Sequence, residues 1–181
     1  MNTTATTTAK TVKVWDIWVR LTHWLVAIGI FVNLTELIEE GSTWHEYVGY
    51  AVAALVVSRL IWGFIGTKYA RFSDFFPTPR RIKNHLTGFG KQGTHLGHNP
   101  FGALMMFALW GVIIALGVTG YLMGLDAYWG EEWLQELHEI LANSLYLLIP
   151  LHVLSAIGMS FVEKQNLIKA MITGNKVDLS I

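Results

Sequence analysis

Two histidines, His138 and His152, lie fourteen residues apart within one apolar segment, HEILANSLYLLIPLHVLSAIGMSFV. As an α-helix, fourteen residues make nearly four full turns, so both imidazoles leave roughly one face, about 21 Å apart along the axis. Imidazole is a ligand for redox metals, and the hydrocarbon of a bilayer is about 30 Å thick. One helix with a nitrogen ligand near each side of a membrane is what a stack of two haem irons would require of it. Each iron then needs a second axial ligand from elsewhere in the chain.

Four segments can position such ligands. Spans are expected over about 17–37, 45–66, 101–124 and 138–162, each near or above the ~20 residues needed to cross hydrocarbon. The third, FGALMMFALWGVIIALGVTGYLMG, carries no charge and no polar stripe of the kind a soluble bundle shows. Composition agrees: of 181 residues 52% are hydrophobic and 14% charged, and the mean hydropathy is +0.41. A soluble domain carries nearer a quarter charged residues. The expected fold is all-α, an integral membrane four-helix bundle spanning residues 14–172. A polar, disordered tail (1–13) precedes it and a short tail (173–181) follows. No cleaved signal peptide is expected, because no basic region and short apolar core precede the first span.

Charge placement gives the bundle a direction. The first and third connectors and the adjoining helix mouths hold Glu36, Glu39, Glu40, Glu46, Asp126, Glu131, Glu132, Glu136 and Glu139, with no Lys or Arg. The second connector holds Lys68, Arg71, Arg80, Arg81, Lys83 and Lys91. The positive-inside rule puts the basic connector and both termini in the cytoplasm. Within that connector, Thr78-Pro79 followed by RRIKNHL reads as an N-cap with proline at the first helical position. A basic helix there suits the anionic inner leaflet. Charges of both signs are balanced at 13 each, and no nucleic-acid partner is expected.

Cysteine is absent, which excludes disulfides, thiolate catalysis, Cys-ligated iron–sulfur clusters and covalent c-type haem. Of seven histidines, His85, His95 and His98 fall in the cytoplasmic connector and read as loop residues. The other four pair by depth: His45 with His138 toward the outside, His23 with His152 toward the inside. Bis-histidine ligation of two b-type haems follows, the filled axial positions favouring electron transfer over O₂ binding. Four residues after each histidine stand Ala27, Gly49, Ala142 and Ala156, small enough on the ligand's face to admit a porphyrin. Arg59, fourteen residues after His45, reaches the depth of His152, where a haem propionate would pair an intramembrane charge. Arg20 is a second candidate for the same haem; snorkelling to headgroups is the alternative for both. Gly117, Gly120 and Gly124 are expected to permit close helix packing.

The chain resembles the bacterial cytochrome b561 family, dihaem membrane cytochromes related to the b-type cytochrome subunits of nickel–iron hydrogenases. The similar stretches are VWDIWVRLTHWL, WHEYVGYAVAALVVSRLIWGFIG with ARFSDF, GHNPFGALM, and HEILAN with IPLH. The resemblance implies four helices in a bacterial inner membrane and two non-covalent b haems on His23, His45, His138 and His152. It also implies exchange of electrons with the quinone pool. His98 and Asn99, at the cytoplasmic mouth of the third span, are candidates for a quinone site, with His95 nearby. The acidic outer face should steer a basic partner, such as a Lys-rich periplasmic c-type cytochrome, and repel anions. The expected function is therefore electron transfer between quinone and a periplasmic redox protein. Alternatives are an anchor subunit for a periplasmic hydrogenase, a superoxide:quinone oxidoreductase and, without haem, a His-lined metal transporter.

Overall fold

The computed structural model describes residues 10–35, 37–87 and 96–178. The Thr-rich segment before Lys10, and Glu36, Lys91 and His95, lie outside the described residues. Four helices are long and apolar enough to cross a membrane: α1 (Ile17–Leu34), α2 (Thr43–Ile65), α5 (Pro100–Met123) and α6 (Glu132–Val162). Three of the four apolar runs start where a side chain takes up a free backbone N–H. Asp16 accepts from Val19 at 2.9 Å, Ser42 from His45 at 3.3 Å, and Asn99 from Gly102 at 2.7 Å. Helix α6 has no side-chain cap. It follows Gly130, whose φ of 79° sets the turn, and begins six residues before the expected 138. The extra turns are held by Leu134, which is almost fully buried (1% exposed). His138 therefore lies inside the helix rather than at its mouth.

Helix α1 packs on α2, α2 on α5, and α5 on α6. Membrane helices gain little from hydrophobic exclusion between them, so close backbone approach and hydrogen bonds set the contacts. A β-carbon at Gly117 of α5 would stand 2.7 Å from Cβ of Ala53 on α2, so only glycine allows that approach. Of the other two glycines expected to pack helices, Gly124 instead caps α5 and Gly120 faces the His138 ring, where a β-carbon would lie 3.6 Å from Cε1. Helix α6 does not pack closely on α1 or α2. Tyr146 of α6 reaches across to α1, donating to the Leu34 carbonyl at 2.6 Å.

The end of the bundle that carries both chain ends is closed by a small cap. Strand β1 (Lys10–Lys13) pairs antiparallel with β2 (Asn175–Asp178), Lys10 opposite Asp178 and Lys13 opposite Asn175. Residues 10–13, expected to belong to a disordered tail, form a strand instead, because they find backbone partners in the C-terminal segment. Between the strands, Val14 and Trp15 are buried with Val19, Ala70 and Ala170 of α7 (Leu167–Thr173). Helices α3 (Phe72–Phe75) and α4 (Pro79–Thr87) lie in the long connector. Helix α4 opens as expected, with Thr78 Oγ1 accepting from the Arg81 N–H at 3.3 Å. It brings Arg80, Arg81 and Lys83 to this end.

Gly174 links the two chain ends. Its carbonyl accepts from the N–H groups of Val14 at 2.8 Å and Trp15 at 3.0 Å. Its φ is +84°, and a β-carbon would stand 2.6 Å from the Trp15 carbonyl oxygen. A left-handed conformation costs a non-glycine residue roughly 1–2 kcal/mol, to which that contact adds. Gly174→Ala is expected to destabilise the protein by about 2 kcal/mol, read as a lower Tm in detergent. Gly158→Ala, at a helical glycine with nothing within 4 Å, should leave Tm unchanged or slightly higher; equal losses at both sites would refute the strained role of Gly174.

Candidate functional site

Helices α1 and α5 run away from the end that carries the chain termini, and α2 and α6 run back toward it. His23, in the second turn of α1, is therefore level with His152 near the end of α6. His45, at the start of α2, is level with His138 of α6. The rings of His23 and His152 have centroids 6.3 Å apart, and those of His45 and His138 are 6.4 Å apart. An imidazole nitrogen lies about 1.2 Å from its ring centre and binds a metal at about 2 Å. Two imidazoles on opposite sides of one metal then stand a little over 6 Å apart, centre to centre. Both pairs meet that requirement across the side of the bundle where α6 does not pack closely on α1 or α2. Among the described residues no group of three or more His, Cys, Asp or Glu could hold a metal ion.

The ring nitrogens add detail. Nδ1 of His23 and of His45 is buried without a hydrogen-bond partner among the described residues. His138 differs: its Nδ1 lies 2.7 Å from the hydroxyl of Thr119 on α5. Sequence reasoning passed over Thr119, although it is the only Ser or Thr in that span. The small residues at the four-residue offset differ in exposure. Gly49, Ala142 and Ala156 are half-buried and Ala27 is exposed. A β-carbon at Gly49 would touch only Asn33 Nδ2, at 3.8 Å.

Arg59 is buried (5% exposed). Its Nη2 donates to the Ala70 carbonyl at 3.2 Å, and its guanidinium lies 5.4 Å from the centre of the Trp110 ring. Its Nη1 is buried with no partner among the described residues. A bare cationic N–H in an apolar interior is costly and marks a place for an anion. Arg20 is also bonded in part: its Nη1 donates to the Ile172 carbonyl at 2.6 Å, tying α1 to the last turn of α7, and its Nε is buried with no partner among the described residues.

Asp16 joins the cap to the bundle. Beyond capping α1, it accepts from Trp62 Nε1 at 2.9 Å and from the Thr67 hydroxyl at 2.6 Å. Burial pushes its carboxyl upward, but the bonds from Thr67, Trp62 and Val19 and the nearby Arg59 charge outweigh that and hold it below its ordinary value. His98 packs between Trp15 and Phe75, with ring centroids 4.6 and 4.8 Å away. Asn99, besides capping α5, donates to Glu163 Oε1 at 3.2 Å, and Glu163 in turn pairs with the buried Lys176 at 3.4 Å. Burial pushes the Lys176 ammonium down despite that partner. These two sequence-level candidates, His98 and Asn99, are thus built into the cap at the mouth of α5.

A family model described as prokaryotic cytochrome b561 matches residues 14–174, a stretch whose two end residues are joined by the Val14–Gly174 hydrogen bond. A relative from Azotobacter vinelandii is 23% identical over 90% of this chain and 87% of its own length. One from Bradyrhizobium diazoefficiens is 21% identical over 92% and 86%, and one from Azotobacter chroococcum 22% over 90% and 87%. All three are described as probable Ni/Fe-hydrogenase B-type cytochrome subunits. No solved structure matches the chain.

Proposed function

This chain belongs to the prokaryotic cytochrome b561 family of multi-pass b-type cytochromes, and from that premise we propose that it carries electrons across the bacterial inner membrane between quinone and a periplasmic redox protein. The family implies haem b. The observation that carries the reading of two haems is the matched separation of two histidine pairs, 6.3 and 6.4 Å between ring centroids. His23 with His152 would hold one haem and His45 with His138 the other, about 21 Å apart by helix rise. Haem b would supply one-electron exchange, and the chain would hold each haem through two imidazoles. The helices contribute an apolar medium and fixed ligands, so little has to reorganise when charge moves.

Orientation follows from charge. Arg80, Arg81 and Lys83 of α4, with Lys68, Arg71, Lys169 and Lys176, gather at the end that carries the termini, which the positive-inside rule assigns to the cytoplasm. Quinone would exchange electrons at this end, near His98 and Asn99. The opposite, acidic end would face the periplasm and steer a basic c-type cytochrome. Arg59, with one η nitrogen left over from its bond to Ala70, would carry a propionate of the cytoplasmic-side haem.

In vesicles holding the purified protein, added quinol should reduce an external basic cytochrome c through both haems. His152→Ala should retain about half the haem per chain, by the one-ligand-pair, one-haem count, and lose that transfer. Retention of both haems would overturn the ligand assignment. Arg59→Gln should leave both haems bound and lower the midpoint potential of one, because removing a positive charge disfavours the reduced form; unchanged potentials would remove Arg59 from the site. Transfer to the basic cytochrome should slow as ionic strength rises. The names of the three relatives favour a second reading, in which a periplasmic hydrogenase docks at the acidic face and feeds quinone. Rates indifferent to salt, together with a hydrogenase that co-purifies, would decide for it.

A further inference from the structure

We infer that Thr119 is the positioning residue for His138, fixing its tautomer and ring orientation and thereby lowering the potential of the haem nearer the acidic end. This rests on the bis-histidine reading above. Thr119 lies in α5 and is buried (5% exposed). Its Oγ1 has three neighbours: the Ala115 carbonyl at 3.0 Å, the Leu116 carbonyl at 3.1 Å and His138 Nδ1 at 2.7 Å. We assign the single hydroxyl proton to one of the two carbonyls, the usual back-bond of a helical threonine. Toward His138 the oxygen then offers a lone pair, which requires the proton to be on Nδ1. Nε2 is left as the metal-binding nitrogen.

Two further observations support the assignment. The His138 ring rests against α5 at Gly120, where a β-carbon would already be in contact with Cε1 at 3.6 Å. Thr119 and Gly120 together therefore form the seat of the ring. His23 and His45 have no such acceptor: Nδ1 of each is buried without a partner among the described residues. A hydrogen bond accepted from Nδ1–H makes the imidazole a stronger donor through Nε2, which favours the ferric state. In an apolar interior no water replaces that bond when it is lost. The effect falls on one haem of the two, so Thr119 contributes to a difference in potential between the two ends of the electron path.

The experiment is a redox titration of the purified holoprotein, with low-temperature electron paramagnetic resonance of the ferric haems, for wild type, Thr119→Val, Thr119→Ala, Thr119→Ser and His138→Ala. Thr119→Val and Thr119→Ala should raise the midpoint potential of one haem and shift its ferric signal while the other haem is unchanged, and Thr119→Ser should restore both. Loss of that one haem from the Val or Ala variant, with the other retained, would count equally in favour. A threonine that serves only helix packing would change Tm without moving either potential or either signal. If His138→Ala loses one haem while Val and Ala leave both potentials and both signals untouched, the role of Thr119 is overturned and the haem reading stands. If His138→Ala retains both haems, the ligand reading fails and the inference falls with it.

Discussion

The bundle depends on a separation: α6 must stand far enough from α1 and α2 for two histidine pairs to face each other without touching. At 6.3 and 6.4 Å between ring centroids, the imidazoles are too far apart to hydrogen-bond and well placed to share a metal. Helix α5 holds that distance. It packs on α2 through the Gly117–Ala53 approach and on α6 through Thr119, Gly120 and the surrounding face. In lipid the hydrophobic effect does not press helices together, so such contacts decide the spacing. Tyr146 bonded to the Leu34 carbonyl ties α6 to α1 beside the pairs.

The two ends of the bundle are built differently, and the difference suits the proposed role. At the acidic end the connectors are short. At the other end lies a cap of strand pairing, short helices and buried polar bonds. Asp16 is central to it, capping α1 and holding Trp62 and Thr67, while Arg59 reaches out of α2 to the Ala70 carbonyl. These hydrogen bonds tie α1 and α2 to the cap on the side of the His23–His152 pair. The acidic end is left open to long-range charge attraction, which governs encounter more than tight binding.

Much of the fold was legible because a bilayer restricts what can cross it. Unsatisfied backbone groups are so costly in hydrocarbon that long apolar segments have to be helices, and the helix period then converts residue spacing into depth. The pairing of His23 with His152 and of His45 with His138 required only that arithmetic and the direction of each span. Less could be read where a residue's partner is remote in sequence. The strand at Lys10–Lys13 depends on Asn175–Asp178, more than 160 positions away. Arg20 was a candidate haem contact by depth alone; the bond of its Nη1 to the Ile172 carbonyl, which leaves its buried Nε without a partner among the described residues, could not be read from spacing. Thr119 was one hydroxyl in an apolar helix until the fold set it against His138.

What the chain determined by itself is the number and span of its helices, the segregation of charge between its two ends and the depth of each histidine, all of which follow from local composition and a fixed rise per residue. What only the tertiary structure decided is distance and direction between elements. These are the matched ring separations, the free η nitrogen of Arg59 beside a committed one, and the hydroxyl that singles out one of the four imidazoles. Such features depend on side chains packing across helices. Sequence spacing specifies position along a helix axis, and not the rotation and separation of neighbouring axes that bring two side chains together.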